Sequence, residues 1–62
     1  MNYYAIKSNF LRGLWNAAMV TMAKRKGIIT AVQYKEILHE GVEAEVITAQ
    51  QYEALTGEAY SA

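Results

Sequence analysis

The strongest constraint on this chain is a repeated six-residue unit. Ile29-Thr30-Ala31-Val32-Gln33-Tyr34 recurs as Ile47-Thr48-Ala49-Gln50-Gln51-Tyr52, 18 residues later, with five of six positions identical. A weaker copy, Trp15-Asn16-Ala17, lies upstream. Each copy is an apolar residue, then Asn or Thr, then Ala. That order specifies a helix N-terminus. Asn16, Thr30 and Thr48 are cap residue types, whose side-chain oxygen accepts a hydrogen bond from a backbone N–H that the helix leaves unpaired. Gln33 and Gln51 stand three residues after their Thr, the spacing of a capping box. Ile29 with Tyr34, Ile47 with Tyr52 and Trp15 with Val20 have the spacing of hydrophobic staples.

The expected stops follow the starts. Gly27, Gly41 and Gly57 come after helical stretches, where a left-handed residue ends a helix at low cost. Lys24, Arg25 and Lys26 fill the turn before Gly27, where cations oppose the helix dipole. The reading is an all-α fold, a small array of three to four short helices joined by tight Gly- and Thr-capped turns. The helices fall at about 3–12, 17–26, 31–40 and 49–56 in one domain, 1–62, with 42–47 as a linker. Tyr3, Tyr4, Ile6, Phe10 and Leu11 give the first helix a broad apolar stripe. Gly13 either ends it or is tolerated within one helix running to Lys26. Only Glu43-Ala44-Glu45-Val46-Ile47 alternates, weakly, and it suggests at most a short extended segment.

Size and composition exclude much else. A chain of 62 residues buries only about 60% of its unfolded surface. It has no Cys and no Asp, so disulfides, thiolate metal sites and Cys nucleophiles are removed together. A small fold without such staples commonly depends on oligomerisation or on docking to a larger body. The longest apolar run, Ala17 to Val20, is far short of the ~20 residues of a membrane span. The start, Met1-Asn2-Tyr3-Tyr4, lacks a signal peptide's basic and apolar regions. The expected location is the cytoplasm of the cell that makes the chain, with no membrane partner.

The zero net charge conceals a division. All six basic residues (Lys7, Arg12, Lys24, Arg25, Lys26, Lys35) lie within 1–35, and all six Glu lie within 36–62. The two parts carry +6 and −6. Such charges pair either inside the fold or between copies arranged head to tail.

From Gly13 to Ile37 the chain resembles the XkdX family, small proteins encoded by phages and defective prophages of Gram-positive bacteria. The resemblance rests on Gly13-Leu14-Trp15-Asn16, Gly27, Ile29-Thr30-Ala31 and Gln33-Tyr34-Lys35-Glu36-Ile37. The family pattern is a Gly-x-aromatic-Thr turn, a short helix, Gly-x-Ile-Thr-x-x-Gln-Tyr and a closing Ile-Thr-Gly. Here Leu38-His39-Glu40 replaces the closing element, which resembles Leu55-Thr56-Gly57-Glu58-Ala59-Tyr60 instead. The chain thus looks like the family pattern with one extra cap-helix unit. The resemblance implies a virion-associated or phage-assembly role, near the tail, baseplate or neck, with no catalytic residue.

The residues themselves offer little chemistry. His39, Glu40 and Glu43 fall short of a zinc-protease helix, which needs a second His four residues after the first. A lone His near a helix end reads as a surface group favouring the dipole. Ser8 and Ser61 have no nearby base. No cofactor motif is present, and none is expected. Lys24, Arg25 and Lys26 invite phosphate contacts, but a neutral chain with an acidic second half is a poor nucleic-acid binder. The competing classes are a small helical DNA-binding regulator and an accessory to host or lysis functions. Trp15, Tyr34 and Tyr52 read as staples and core. Tyr3, Tyr4 and Phe10 exceed what a small core encloses and stand between core and interface. With Lys24, Arg25 and Lys26 they form the candidate interface for a phage structural protein or for self-association.

The capping assignment has a direct test. Thr30→Ala and Thr48→Ala are each expected to lower stability by about 0.5–2 kcal/mol, read from thermal or denaturant unfolding. Unmoved transitions in both variants contradict the repeat reading.

Overall fold

The structure, a computed structural model, describes residues 2–62. Four helices follow one another: α1 Tyr3–Leu11, α2 Ala17–Arg25, α3 Ala31–Glu43 and α4 Ala49–Thr56. The fold is all-α, as the caps require, and residues 3–26 form two helices rather than one.

All three expected caps are present. The Asn16 side chain accepts from Met19 N–H at 3.0 Å. Thr30 accepts from Gln33 N–H at 3.1 Å while the Gln33 carbonyl accepts from Thr30 N–H at 3.0 Å. Thr48 and Gln51 repeat this box at 3.0 and 2.7 Å. A fourth cap escaped the sequence reading: Asn2 accepts from Ala5 N–H at 2.9 Å. Its signal was an Asn directly before the first apolar stripe.

The three links between helices share one hydrogen-bond pattern. Leu14, Ile28 and Val46 donate to the carbonyls of Asn9, Ala23 and Gly41 at 2.8–2.9 Å. Each closes a six-residue loop back onto its helix, and the preceding N–H of Gly13, Gly27 or Glu45 closes a shorter one inside it. These are Schellman closures, which need a left-handed residue in the middle. Gly13 (φ 80°), Gly27 (φ 78°) and Glu45 (φ 61°) occupy that place.

Gly41 therefore does not end its helix. The α3 helix runs through it to Glu43, and the span 42–47 is not a linker. The link is 44–48, with no extended segment. The reason lies in helix length. The caps Asn16 and Thr30 are 14 residues apart and Thr30 and Thr48 are 18. The extra four residues are one more turn in α3, which has 13 residues against 9 in α2. They move the counterpart of Gly27 from position 41 to Glu45. Gly41 serves packing instead. A Cβ placed there would lie 2.5 Å from Phe10 Cε2 and 3.4 Å from Ile47 Cγ1.

α3 touches the other three helices. Along α1, Tyr3 bonds Glu36 and Lys7 pairs with Glu40. Both pairs advance by four residues, so the two helices run parallel. Along α4, Lys35 pairs with Glu58 and the His39 ring faces that of Tyr52, so those helices run antiparallel. Ile6, Phe10, Val20, Ala23, Ile29, Tyr34, Ile37, Leu38, Ile47 and Tyr52 form the buried core. The apolar partners of both Thr caps, Ile29 with Tyr34 and Ile47 with Tyr52, lie within it.

Gly41 and Glu45 make opposite predictions. Gly41→Ala improves helix propensity by ~1 kcal/mol, yet overpacking costs about 1–3 kcal/mol. Net destabilisation is expected, partly relieved by adding Phe10→Leu. Glu45→Gly removes the cost of a left-handed non-glycine residue, about 1–2 kcal/mol, against a loss of about 0.5–1 kcal/mol in backbone entropy. A small stabilisation is expected in denaturant unfolding.

Candidate functional site

The six interface residues expected from the sequence separate in the structure. Phe10 leaves the set: it is 0% exposed and seated over Gly41. An aromatic that the small core seemed unable to hold is admitted because α3 presents bare backbone to it. Tyr3 is half-buried, with its hydroxyl donating to Glu36 at 3.0 Å. Tyr4 is 72% exposed and meets the Tyr3 ring edge-on at 5.1 Å. The Lys24 ammonium lies 4.8 Å from the centre of the Tyr34 ring. Arg25 and Lys26 are exposed.

The structure adds residues outside that set, Trp15 among them, which the sequence reads as staple and core. Trp15 is only half-buried. Met19, Met22 and Ile28 are 41%, 51% and 46% exposed. Together with Ala23 and the Lys26 stem they line an open groove of about 220 Å³ along α2. The spacing 15, 19, 22, 26 is a helical stripe, and it was the signal available in the sequence. It lies beside the buried stripe of Val20 and Ala23. Ile28 also borders a second, larger depression of about 620 Å³ with Asn2, Tyr3, Tyr4, Gln33 and Glu36. Trp15 borders a third with Phe10, Val46 and Ile47. Ile28 and Trp15 thus connect three depressions.

Electrostatics divide the surface. Lys7 pairs with Glu40 at 3.2 Å, and Lys35 pairs with Glu58. Each pair joins the basic and acidic parts of the sequence within one chain. Arg12, Lys24, Arg25 and Lys26 have no carboxylate partner among the described residues. Three of these four cations stand at the C-terminal end of α2, and one of them, Lys26, lines the groove.

His39 belongs to no group of three or more potential metal ligands among the described residues. It fastens the C-terminal segment. Its Nε2 lies 2.8 Å from the Ser61 carbonyl oxygen and its Nδ1 lies 3.6 Å from Glu43. The Tyr60 ring sits 4.7 Å from the His39 ring and 5.6 Å from Tyr52. No described helix is long and apolar enough to cross a membrane.

Fold and surface together define an all-α module of four short helices with an exposed apolar groove edged by cations. Comparison with protein-family models, curated proteins and solved structures finds no match to this chain.

Three titrating groups share one direction. Burial and the hydrogen bond to Glu36 raise Tyr3 above the ordinary 10.0. The hydrogen bonds to Glu40 and Glu58 raise Lys7 and Lys35 above 10.5. A raised value means that the folded state holds the proton more tightly than the unfolded state. The stabilisation is complete below the ordinary values and disappears as pH rises through the folded ones. Thermal unfolding from pH 8 upward is expected to show a midpoint falling above about pH 10. Tyr3→Phe combined with Lys7→Met and Lys35→Met is expected to start lower and decline less.

Proposed function

We propose that the chain is a non-enzymatic docking protein of a phage or phage-like particle, associated with its tail, baseplate or neck. It acts by seating its helices on a larger structural protein or on its own copies. The observation that carries the docking reading is the apolar groove of Trp15, Met19, Met22 and Ile28, left exposed outside the buried core. A contiguous apolar surface on so small a protein marks a contact site. Trp is enriched in binding hot spots, and Met side chains adapt their shape to a partner.

The particle reading is supported by the resemblance of Gly13–Ile37 to the XkdX pattern. The part of that pattern shared with this chain is its cap chemistry, and the caps are formed here at Asn16, Thr30 and Thr48. Such residues shape the scaffold. The surface that docks is carried between them, on α2 and its two links.

Two measurements test the proposal. Peptides of the chain are expected in particles purified from the producing strain after induction, and deletion of its gene is expected to reduce intact particles. Absence from particles that assemble normally without the gene overturns the particle reading. The purified chain is expected to leave a DNA duplex unshifted in an electrophoretic assay at low salt. A salt-sensitive shift points to the DNA-binding alternative.

A further inference from the structure

We propose that the groove along α2 receives an acidic amphipathic helix of a partner protein, rather than the same face of a second copy of this chain. The inference rests on the docking reading and names the chemistry of the partner.

The shape sets the first limit. The groove volume of about 220 Å³ is below the range of about 300–1,000 Å³ typical of small-molecule sites. It has room for protruding side chains rather than for a ligand of its own. The stripe from Trp15 to Lys26 covers 12 residues, a length of about 16 Å at a helical rise of ~1.5 Å per residue. A partner helix of about three turns covers that length, placing apolar side chains at i, i+3 or i+4, and i+7. Met19 and Met22 form the floor that adapts to them, and Trp15 and Ile28 bound the two ends.

Charge sets the second limit. Lys26 lines the groove and Arg25 precedes it at the exposed end of α2; neither has a carboxylate partner among the described residues, and Lys24 is occupied by the Tyr34 ring. No acidic residue occurs anywhere in 1–35, so the groove has no carboxylate of its own. Two copies meeting through this same face therefore bring cations and no anion to the contact. A helix carrying Glu or Asp beside its apolar stripe supplies what the face lacks. Cations at the edge of such a contact favour one partner and one orientation more than they add affinity.

Trp15 is the only Trp in the chain and lines the groove, so its emission reports occupancy. The probe is a synthetic helical peptide with Leu at the three stripe positions and Glu on the flanks. Its control carries Lys in place of each Glu. The full chain is titrated with each peptide at low and at 0.5 M salt. Saturable blue-shifted emission is expected with the Glu peptide, weakened by salt, and several-fold weaker with the Lys peptide. Arg25→Glu with Lys26→Glu is expected to lower affinity for the Glu peptide about three- to tenfold and to reverse the preference. Both positions are exposed, and circular dichroism confirms that the variant remains helical. Met19→Glu with Met22→Glu is expected to abolish both titrations.

Equal binding of the two peptides overturns the proposal, as does failure of both at millimolar concentration. A Trp15 shift that grows with protein concentration alone, alongside dimers in sedimentation, assigns the face to a second copy. A shift with phosphatidylglycerol vesicles but not with the Glu peptide assigns it to a lipid surface. These measurements use purified chain and no particle. Their failure is therefore separable from absence of the chain in virions.

Discussion

The ring of Phe10 rests on the backbone of α3 at Gly41, and the arrangement of the four helices depends on that approach. A helix of nine residues is unstable in water by itself, so α1 exists because it has a face to bury. Ile6 and Phe10 supply that face, and both are fully buried. Burying a Phe side chain is worth about 1.5–3 kcal/mol. The partly exposed Lys7–Glu40 pair on the same seam is worth ~0–1 kcal/mol. The aromatic contact therefore brings the two helices together, and the Lys7–Glu40 and Tyr3–Glu36 contacts set their parallel register. Any side chain at position 41 holds the ring away and loosens the seam.

The links convert that packing into a defined chain path. Each ends one helix with a Schellman closure and starts the next with a side-chain cap inside five residues. Polar groups freed at both helix ends are satisfied locally, so short helices can follow one another without long loops. Helix length then becomes the adjustable quantity. The additional turn in α3 lets it reach α1, α2 and α4 together, and it becomes the central element. The cost appears at Glu45, which takes a left-handed conformation that glycine takes at Gly13 and Gly27.

The two parts of the charge pattern have different fates. Lys7 and Lys35 reach across to Glu40 and Glu58 and are used within the fold. Arg25 and Lys26 at the end of α2 are left exposed, and Lys26 lines the groove with thioether and indole side chains. A core built on one central helix encloses only one stripe of α2, that of Val20 and Ala23. The neighbouring stripe remains outside, and its apolar character is what makes it a surface for a partner.

The local grammar was legible before the fold. Asn16, Thr30 and Thr48, with Gln33 and Gln51, declared three helix starts because capping is chemistry between residues three positions apart. The left-handed turns at Gly27 and Gly57 were legible for the same reason, as glycine relaxes a backbone restriction that every other residue feels, whereas at Gly13 the sequence allowed either a stop or one long helix. Only the tertiary structure assigned the rest. Gly41 and Gly27 are the same residue type, yet the extra turn of α3 carries Gly41 inside the helix, where the Phe10 ring makes it a packing site rather than a turn. Tyr3, Tyr4 and Phe10 belong to one apolar stretch, yet Phe10 is enclosed and Tyr4 exposed because the parallel seam with α3 turns position 10 inward and position 4 outward. Burial is decided by which surfaces meet, and residues distant in sequence determine that meeting. The caps therefore follow from the sequence alone, whereas the groove of Trp15, Met19, Met22 and Ile28 exists only because α3 covers the other side of α2.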